Sequence, residues 1–189
     1  MIYNKSEEFS ISNSEARLLE TLAVEGELSG YQMISCIEGF AAGEPLGSTS
    51  VYTGLKSLEE KGCLTARIDT SKRGKGPLPK KYRITEQGME AAKSRVFDDL
   101  VEGTLQDGRF DLALSGMALL GKEAVLQALR RRRMNLEGRL DGIKERFVAR
   151  GGGDLPLHQE ELFRHSMVLL ETERRFVAEL IDRVKRKMR

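Results

Sequence analysis

The chain has few of the residue types on which several classes of protein depend. It contains no tryptophan, two cysteines and two histidines in 189 residues. Two cysteines, neither of them in a CxxC pair, are too few for a disulfide framework. Aromatic residues make up only 6% of the sequence, which argues against a stacking surface for single-stranded nucleic acid. The fold must therefore depend on an ordinary apolar core.

Long apolar runs are also missing. No stretch approaches the length of a membrane-spanning helix, and the first ten residues, MIYNKSEEFS, lack the apolar segment of a secretion signal. We therefore expect a cytoplasmic protein without a membrane partner. A hydrophobic content of 40% and a charged content of 32% are typical of a folded, helix-rich protein of one large or two small domains.

The sequence contains few motifs that are typical of a catalytic site. No glycine-rich phosphate loop follows a predicted strand, and no serine or cysteine has an obvious base nearby in the sequence. His158, Glu161 and His165 could share one helix face, but their spacing is not that of zinc hydrolase helices. An exposed pair of histidines is the commoner explanation. We predict no enzyme, no catalytic residue, no metal site and no cofactor.

Positive charge is concentrated in one segment. The formal net charge is only +2, yet eight cations face Asp69 alone between Lys61 and Arg83. A local basic surface within a nearly neutral chain favours contact with phosphates. The eight are Lys61, Arg67, Lys72, Arg73, Lys75, Lys80, Lys81 and Arg83.

Capping patterns predict the helices of the first half. Ser12 with Glu15, and Ser29 with Gln32, each fit a capping box at the start of a helix. The first helix should end at Glu25-Gly26, and the second should bury Tyr31, Ile34, Ile37 and Phe40. A third helix should be capped by Ser48 or Thr49, bury Val51, Tyr52, Leu55 and Leu58, and end at Gly62 in a left-handed conformation.

After Gly62 the pattern becomes alternating and predicts a hairpin. Leu64, Ala66 and Ile68 should face one way, and Tyr82 with Ile84 should do so on a second strand. The basic loop 71–79 connects the two strands. Thr85 then caps a long helix that buries Met89, Ala92, Val96, Leu100 and Val101. The order of helix, strand, basic loop and strand predicts a winged helix-turn-helix.

The second half predicts long helices. A short apolar helix spans 110–120, a second helix 122–149, and a last helix runs from an Asp154–Pro156 start to about Lys187. The last helix has two apolar stripes: Leu162, Leu169, Phe176 and Leu180, and beside it Phe163, Met167, Leu170, Val177, Ile181 and Val184. One stripe should pack within the chain and the other against a partner, which predicts a homodimer.

Three ordered motifs resemble the PadR family of transcriptional regulators. They are LSGYQMISCI (28–37), STSVYTGLKSLEEKGCL (48–64) and PKKYRITEQGMEAA (79–92). The second half is similar in pattern to the AphA-like C-terminal helices of part of that family. The resemblance implies a winged-helix domain at 1–90 and a helical dimerisation domain, with a possible effector site, at 91–189.

The resemblance also implies a function. We expect a DNA-binding regulator, a repressor acting as a homodimer on a pseudo-palindromic operator, with binding relieved by a small apolar or aromatic effector. The recognition helix and wing should supply the DNA contacts: Ser48, Thr49, Ser50, Tyr52, Thr53, Lys56, Lys72, Arg73, Lys75 and Lys80. The dimer interface should include Leu136, Leu140, Phe163, Leu170, Phe176, Val177 and Ile181.

Other interpretations remain open on the sequence. The winged helix could bind protein instead of DNA, although the basic wing argues against this. Cys36 or Cys63 could sense redox state, although a buried cysteine is usually inert. Tyr52 could equally be a core residue or a DNA-contacting residue. The run Arg130–Arg133 is best explained as a solvated helix face or as a set of salt bridges in the dimer. An effector would fit a cleft between the two halves or at the dimer seam, lined by residues such as Phe110, Leu112, Met117, Met167 and Leu170.

Overall fold

The computed structural model describes residues 10–39, 46–70, 78–104 and 108–188. The described part is mainly helical with a small antiparallel sheet, which confirms the predicted fold class. The chain divides into two compact units. Unit 1 comprises Met1–Asp99 and Gly103–Leu120, and unit 2 comprises Leu100–Glu102 and Gly121–Arg189.

Unit 1 contains the winged helix. Its elements follow the order predicted from the sequence, with one additional short strand. They are α1 (Asn13–Glu25), β1 (Leu28–Ser29), α2 (Gly30–Gly39), α3 (Ser48–Glu60), β2 (Leu64–Ile68), β3 (Lys80–Ile84), α4 (Glu86–Glu102, whose last turn falls in unit 2) and α5 (Arg109–Gly116), followed by a 3-10 turn at Met117–Leu119.

Both predicted capping boxes are confirmed. The Ser12 hydroxyl accepts from the Glu15 backbone N–H at 3.3 Å, and the Glu15 carboxylate accepts from the Ser12 N–H at 2.8 Å. Gln32 and Ser29 form the same reciprocal pair at 3.0 and 3.3 Å. Thr85 caps α4 by accepting from the Gly88 N–H at 3.0 Å. The helix starts of unit 1 are thus largely determined by local hydrogen bonding.

The start of α3 differs from the prediction. Gly47 is the N-cap, and Ser48 and Thr49 are already inside the helix. The helix end is as predicted: Gly62 has φ 72°, and the N–H groups of Gly62 and Cys63 donate to the carbonyls of Glu59 and Leu58. This pair of bonds is a Schellman motif, for which glycine suits the left-handed residue.

Two predicted core tyrosines are on the surface. Tyr31 is 76% exposed and Tyr52 is 51% exposed. In α3 the buried side chains are Val51, Leu55 and Leu58, and one residue further along a helix turns the side chain by about 100°. Tyr52 therefore points away from the stripe that Val51 begins, and burying it was a wrong prediction.

The sheet adds a strand that the sequence did not indicate. Its order is β1-β3-β2, with both pairings antiparallel. Buried Tyr82 pairs with Leu28 on one side and with Ala66 on the other. Along β2, Leu64 is buried but Ile68 is 57% exposed, because the hairpin extends beyond the core.

Unit 2 is built on a helical hairpin. Helix α6 (Lys122–Ala149) packs along α7 (Leu157–Lys187) after a 3-10 turn at Gly152–Asp154. The Lys122 ammonium donates to the Lys185 carbonyl at 2.9 Å, and Phe147 contacts Phe163 with ring centroids 5.5 Å apart. Contacts at opposite ends of the two helices show that they are antiparallel.

The start of α7 and one arginine depart from expectation. Pro156 is the N-cap of α7, so Asp154 does not cap it. Arg132, expected on a solvated face or in dimer salt bridges, is 4% exposed and is paired with Glu173 of the same chain. Its Nη1 also lies 3.4 Å from the Leu100 and Val101 carbonyls. None of the helices in the described ranges is both long and apolar enough to cross a membrane.

Candidate nucleic-acid interface

Helix α3 presents one polar face outward. Its buried positions are Val51, Gly54, Leu55 and Leu58, and a β-carbon on Gly54 would lie 2.7 Å from Leu18 Cδ1, so α3 packs closely on α1. The six residues predicted to contact DNA from this helix are all exposed. They are Ser48, Thr49, Ser50, Tyr52, Thr53 and Lys56, four of which carry an aliphatic hydroxyl.

The N-terminus of α3 has no side-chain cap. Gly47 makes no side-chain hydrogen bond to the first turn, which Ser, Thr or Asp at that position usually does. The first N–H groups of a helix have no partner within the helix, and the helix dipole favours a negative group beside them. The first turn of α3 is consequently suited to accept a phosphate oxygen.

Tyr52 has a mixed environment. A β-carbon on Gly30 would lie 2.5 Å from Tyr52 Cε1 and 3.1 Å from its hydroxyl oxygen, so the ring lies against the first residue of α2. Half of the side chain nevertheless remains exposed. Tyrosine commonly combines a packed ring with an accessible hydroxyl. Tyr52 thus contributes both to the position of α3 and to its outer face.

The described cations between Lys61 and Arg83 are paired with acidic residues, most of which lie outside that segment. In the sequence, Asp69 is the one acidic residue among the cations between Lys61 and Arg83. In the structure all five cations that are described between Lys61 and Arg83 have an acidic partner within 4.0 Å. The pairs are Lys61–Glu15 at 2.7 Å, Arg67–Glu27 at 2.5 Å, Lys81–Asp69 at 3.1 Å, Arg83–Glu27 at 3.7 Å and Lys80–Glu59 at 4.0 Å.

Glu27 is the acid that organises the strands. Its carboxylate accepts from Arg67 Nε at 2.7 Å and Nη2 at 2.5 Å, with Arg83 3.7 Å away. The hydrogen bond from Arg67 lowers the pKa of the Glu27 carboxyl below its ordinary value. The sequence analysis missed Glu27, because no local pattern links it to an arginine 40 residues later.

The tip of the wing lies outside the described residues, and with it the predicted contacts Lys72, Arg73 and Lys75. The Asp69 N–H donates to the Pro79 carbonyl at 2.8 Å, which keeps the two strands paired up to the start of that segment. Lys80, on β3, is exposed, and its 4.0 Å pair with Glu59 is a weak surface contact. A phosphate could displace such a pair at little cost.

The described residues offer little for catalysis or metal binding. No group of three or more His, Cys, Asp and Glu among them could hold a metal ion. Burial raises the pKa of the Cys63 thiol, which disfavours the reactive thiolate. Cys36 is half-buried, and His158 and His165 are both exposed on α7.

The predicted dimer residues lie in unit 2, and most of them are covered by their own chain. Phe163 is partly buried and Phe176 is 41% exposed. The neighbouring stripe on α7 is the more exposed one, with Leu162 at 67% and Leu169 at 46%. The five buried residues are Leu136, Leu140, Leu170, Val177 and Ile181.

Comparison with known proteins identifies the winged helix. Residues 18–94 match the model of the transcriptional regulator PadR-like family. No curated protein is significantly similar to the chain.

Several solved structures are similar at low sequence identity. PadR of Bacillus subtilis in complex with operator DNA is 18% identical, with a TM-score of 0.40 over 90% of this chain and 98% of that one. The same protein in complex with p-coumaric acid is 15% identical, with a TM-score of 0.39 over 93% and 99%. The PadR-like regulator BC1756 of Bacillus cereus is 15% identical, with a TM-score of 0.40 over 92% and 99%.

The family match covers all of α3 and the hairpin, and it bears out the resemblance carried by the three sequence motifs. Residues 18–94 of the chain are similar to the transcriptional regulator PadR-like family.

Proposed function

We propose that the protein is a transcriptional repressor that binds a pseudo-palindromic operator in double-stranded DNA as a homodimer. The observation that carries the proposal is the outer face of α3, where six polar or amphipathic side chains lie on the exposed side of a helix whose other side is fully buried. A helix with such a face, placed before a wing, is the element that enters the major groove in helix-turn-helix proteins.

Hydroxyl groups would provide most of the proposed DNA contacts from α3. Ser48 and Thr49 stand at the uncapped start of α3, where a phosphate oxygen would bind both their hydroxyls and the backbone N–H groups. Tyr52, Thr53 and Lys56 follow on the next turn and would reach base edges or the adjacent backbone. Because arginine is absent from α3, bidentate reading of guanine contributes little. Specificity then depends on hydroxyl contacts, half-site spacing and DNA shape.

Dimerisation would use the exposed apolar stripe of α7. Leu162, Leu169 and Phe176 recur every seven residues and are 67%, 46% and 41% exposed in the single chain. An apolar row with heptad spacing is the pattern by which one helix packs against another. A symmetric pair of these helices would bury it and would present two α3 helices to the two halves of a palindrome.

Repression and its relief follow from the same arrangement. A dimer bound across a promoter excludes other proteins from it, and a ligand that binds the DNA-free conformation better lowers the population bound to DNA. We propose that a small molecule acts in this way.

The test is binding of the purified chain to DNA from upstream of its own gene across a salt series. A scrambled DNA of the same length and composition is the control. A repressor should bind the upstream DNA at least roughly a thousandfold more tightly than the scrambled DNA at physiological salt. Equal and weak binding to both sequences would overturn the proposal.

The ion pairs of the cations that the structure describes between Lys61 and Arg83 favour a second candidate function, a winged helix that binds protein. Paired surface charges attract a polyanion less than the bare sequence count suggests. The same salt series separates the two functions. Binding to DNA should weaken steeply as salt rises, by a slope of about 0.9 for each phosphate contacted, whereas a protein-binding module should show no sequence preference at any salt concentration.

A further inference from the structure

The exposed face of α7 has two rows of residues at seven-residue spacing. The first row is apolar, and its members Leu162, Leu169 and Phe176 are 67%, 46% and 41% exposed. Rows that alternate at four and three residues are the a and d positions of a heptad, the pattern of a helix that packs along another helix. We call the two rows together the α7 seam. The second row is polar and equally exposed, and it consists of His158, His165, Thr172 and Glu179.

Val168 adds a fourth exposed apolar residue beside the seam. It is 52% exposed and directly precedes Leu169, so it occupies a flanking g position of the heptad. In a parallel pair of helices a g residue meets an e residue of the other helix, which here is Glu173, a residue already paired with Arg132 on α6. In an antiparallel pair the two g flanks lie side by side. Only the antiparallel arrangement therefore covers Val168 with an apolar neighbour, its own copy.

The two halves of α7 carry net charges of opposite sign. Residues 157–171 have three carboxylates and one guanidinium, which is a net charge of −2 with histidine neutral. Residues 173–187 have six cations and three carboxylates, a net charge of +3. Glu171 and Glu173 already pair with cations of α6, and both signs stay the same without them. An antiparallel pair thus places each half beside a half of opposite charge, whereas a parallel pair opposes like charges.

The C-terminal end of the seam also argues against a parallel pair. Glu179 is followed on the seam by Arg183, and in a parallel pair each would face its own copy across the interface. The last turn of α7 is basic, with Lys185, Arg186 and Lys187, and two such turns would then lie side by side. Like charges that face each other at an interface select against that arrangement.

We infer that two copies of the chain pair their α7 helices antiparallel, with the two-fold axis beside Val168. In this register Leu162 packs against Thr172 of the partner subunit, and Leu169 packs against His165 of the partner subunit. Glu179 and the residues after it lie beyond the start of the opposite helix. The inference rests on the homodimer of the proposed function and assigns its direction and register.

The test places single cysteines on α7 of the full chain and adds a bis-maleimide whose span is shorter than three helical turns. Cys36→Ser removes the half-buried natural thiol from every variant, and the natural Cys63 is fully buried. Val168→Cys and Thr172→Cys change the side-chain volume little, so both variants should keep the mass of a dimer in light scattering. Arg164→Cys is the control, because residue 164 is exposed on the side of α7 opposite Leu162.

The antiparallel pair predicts cross-linking at one of the two seam variants. At micromolar protein, Val168→Cys should cross-link at least roughly a hundredfold faster than Arg164→Cys, since two facing thiols in a dimer have an effective concentration of about millimolar. Thr172→Cys should react no faster than the control. Residue 172 faces residue 162 of the opposite helix, so the two thiols are separated by about ten residues, or about 15 Å along the helix axes.

The possible failures of this test are distinguishable. Fast cross-linking of Thr172→Cys without that of Val168→Cys would show a parallel pair, and it would overturn the inference while leaving the homodimer in place. A dimer in which neither variant cross-links faster than Arg164→Cys would have its interface elsewhere, which would also overturn the inference. If the wild-type chain has the mass of one chain in light scattering, the homodimer of the proposed function is absent and the inference falls with it.

Discussion

The two units differ in how completely they cover their own apolar surface. Unit 1 buries a contiguous core from α1, α2, α3, the sheet and α4, and its exposed large apolar residues are scattered. The described part of unit 2 leaves a denser set exposed on two helices: Met134, Val148, Leu157, Leu162, Val168, Leu169 and Phe176. The denser exposed apolar set of unit 2 is the kind of surface on which a second protein chain can pack, and it is the basis of the proposed homodimer.

Buried charges occur in both units. In unit 2 the buried Arg132 is paired with Glu173 and lies near two backbone carbonyls. In unit 1 the buried Asp99 is likewise paired with Arg95 and Arg109, whereas one oxygen of the buried Glu20 has no hydrogen-bonding partner in the described structure. A paired buried charge is costly to break, because removal of one partner leaves the other uncompensated.

The largest expected effect concerns the stripe of α7. Replacing Leu169 and Phe176 together with Glu should weaken dimerisation by roughly a thousandfold, since two carboxylates would be buried in an apolar interface. Light scattering coupled to size-exclusion chromatography should then give the mass of one chain. Arg175→Glu is the matched control, because residue 175 is exposed on the same helix about 100° away from Phe176. A double variant that remains dimeric would contradict the assignment of this stripe.

The buried ion pair of unit 2 comes next. Arg132→Ala should lower the free energy of unfolding by about 3 kcal/mol, because the half-buried Glu173 would be left without its partner and the hydrogen bonds of Arg132 to the Leu100 and Val101 carbonyls would be lost. Urea unfolding measures the change. The double variant Arg132→Met with Glu173→Met should recover most of the loss. If Arg132→Ala unfolds at the same urea concentration as the wild type, the pair makes no contribution to stability.

A third substitution tests whether the exposed face of α3 affects DNA binding without affecting the stability of unit 1. Thr49→Glu places a carboxylate in the exposed first turn of α3, where the helix dipole favours it, so the melting temperature should not fall. Affinity for operator DNA should fall roughly thirtyfold, because that carboxylate would face phosphates. Gln127→Glu, exposed on α6, makes the same change in net charge and should leave DNA affinity nearly unchanged. Equal losses for both variants would show that α3 does not contact DNA.

The smallest expected effect is a dependence on pH through Glu20. Its pKa is raised from 4.5 to about 8 in the folded chain, so the folded state holds a proton that the unfolded state has released between these values. Stability should therefore fall as pH rises, at about 1.4 kcal/mol per pH unit at most. Glu20→Gln lacks this titration.

Urea unfolding of the wild type and of Glu20→Gln at pH 6 and pH 7 measures this pH dependence of the free energy of unfolding. The free energy of unfolding of the variant should increase relative to that of the wild type as pH rises. The charged neighbours Arg17, Arg95 and Asp99 are present in both proteins, so they do not account for the difference. A constant difference between the two proteins would show that Glu20 is not protonated in the folded chain.

Local features of the fold were predictable from the sequence. Ser12 with Glu15 and Ser29 with Gln32 act within three residues of each other, so their capping boxes could be predicted from spacing. The bounds of α6 and the left-handed Gly62 follow for the same reason. Such features depend on residues that are only a few positions apart in the sequence.

Features that depend on distant partners were not predictable. Glu27 neutralises Arg67 across 40 residues, and β1 exists only because β3 pairs with it. Both stripes of α7 are apolar in the sequence, and packing on α6 decides which one is buried. The burial of Glu20 and Arg132 likewise depends on tertiary contacts, because neither has a local sequence signal.

The central claim is that unit 1 reads DNA while unit 2 pairs the chains, and footprinting on DNA upstream of the gene tests it most directly. A dimeric regulator should protect two half-sites whose centres lie roughly 34 Å apart or a multiple of that distance. The Leu169→Glu, Phe176→Glu variant should protect neither at the same concentration. A single protected block, or protection by the variant equal to that of the wild type, would contradict the claim.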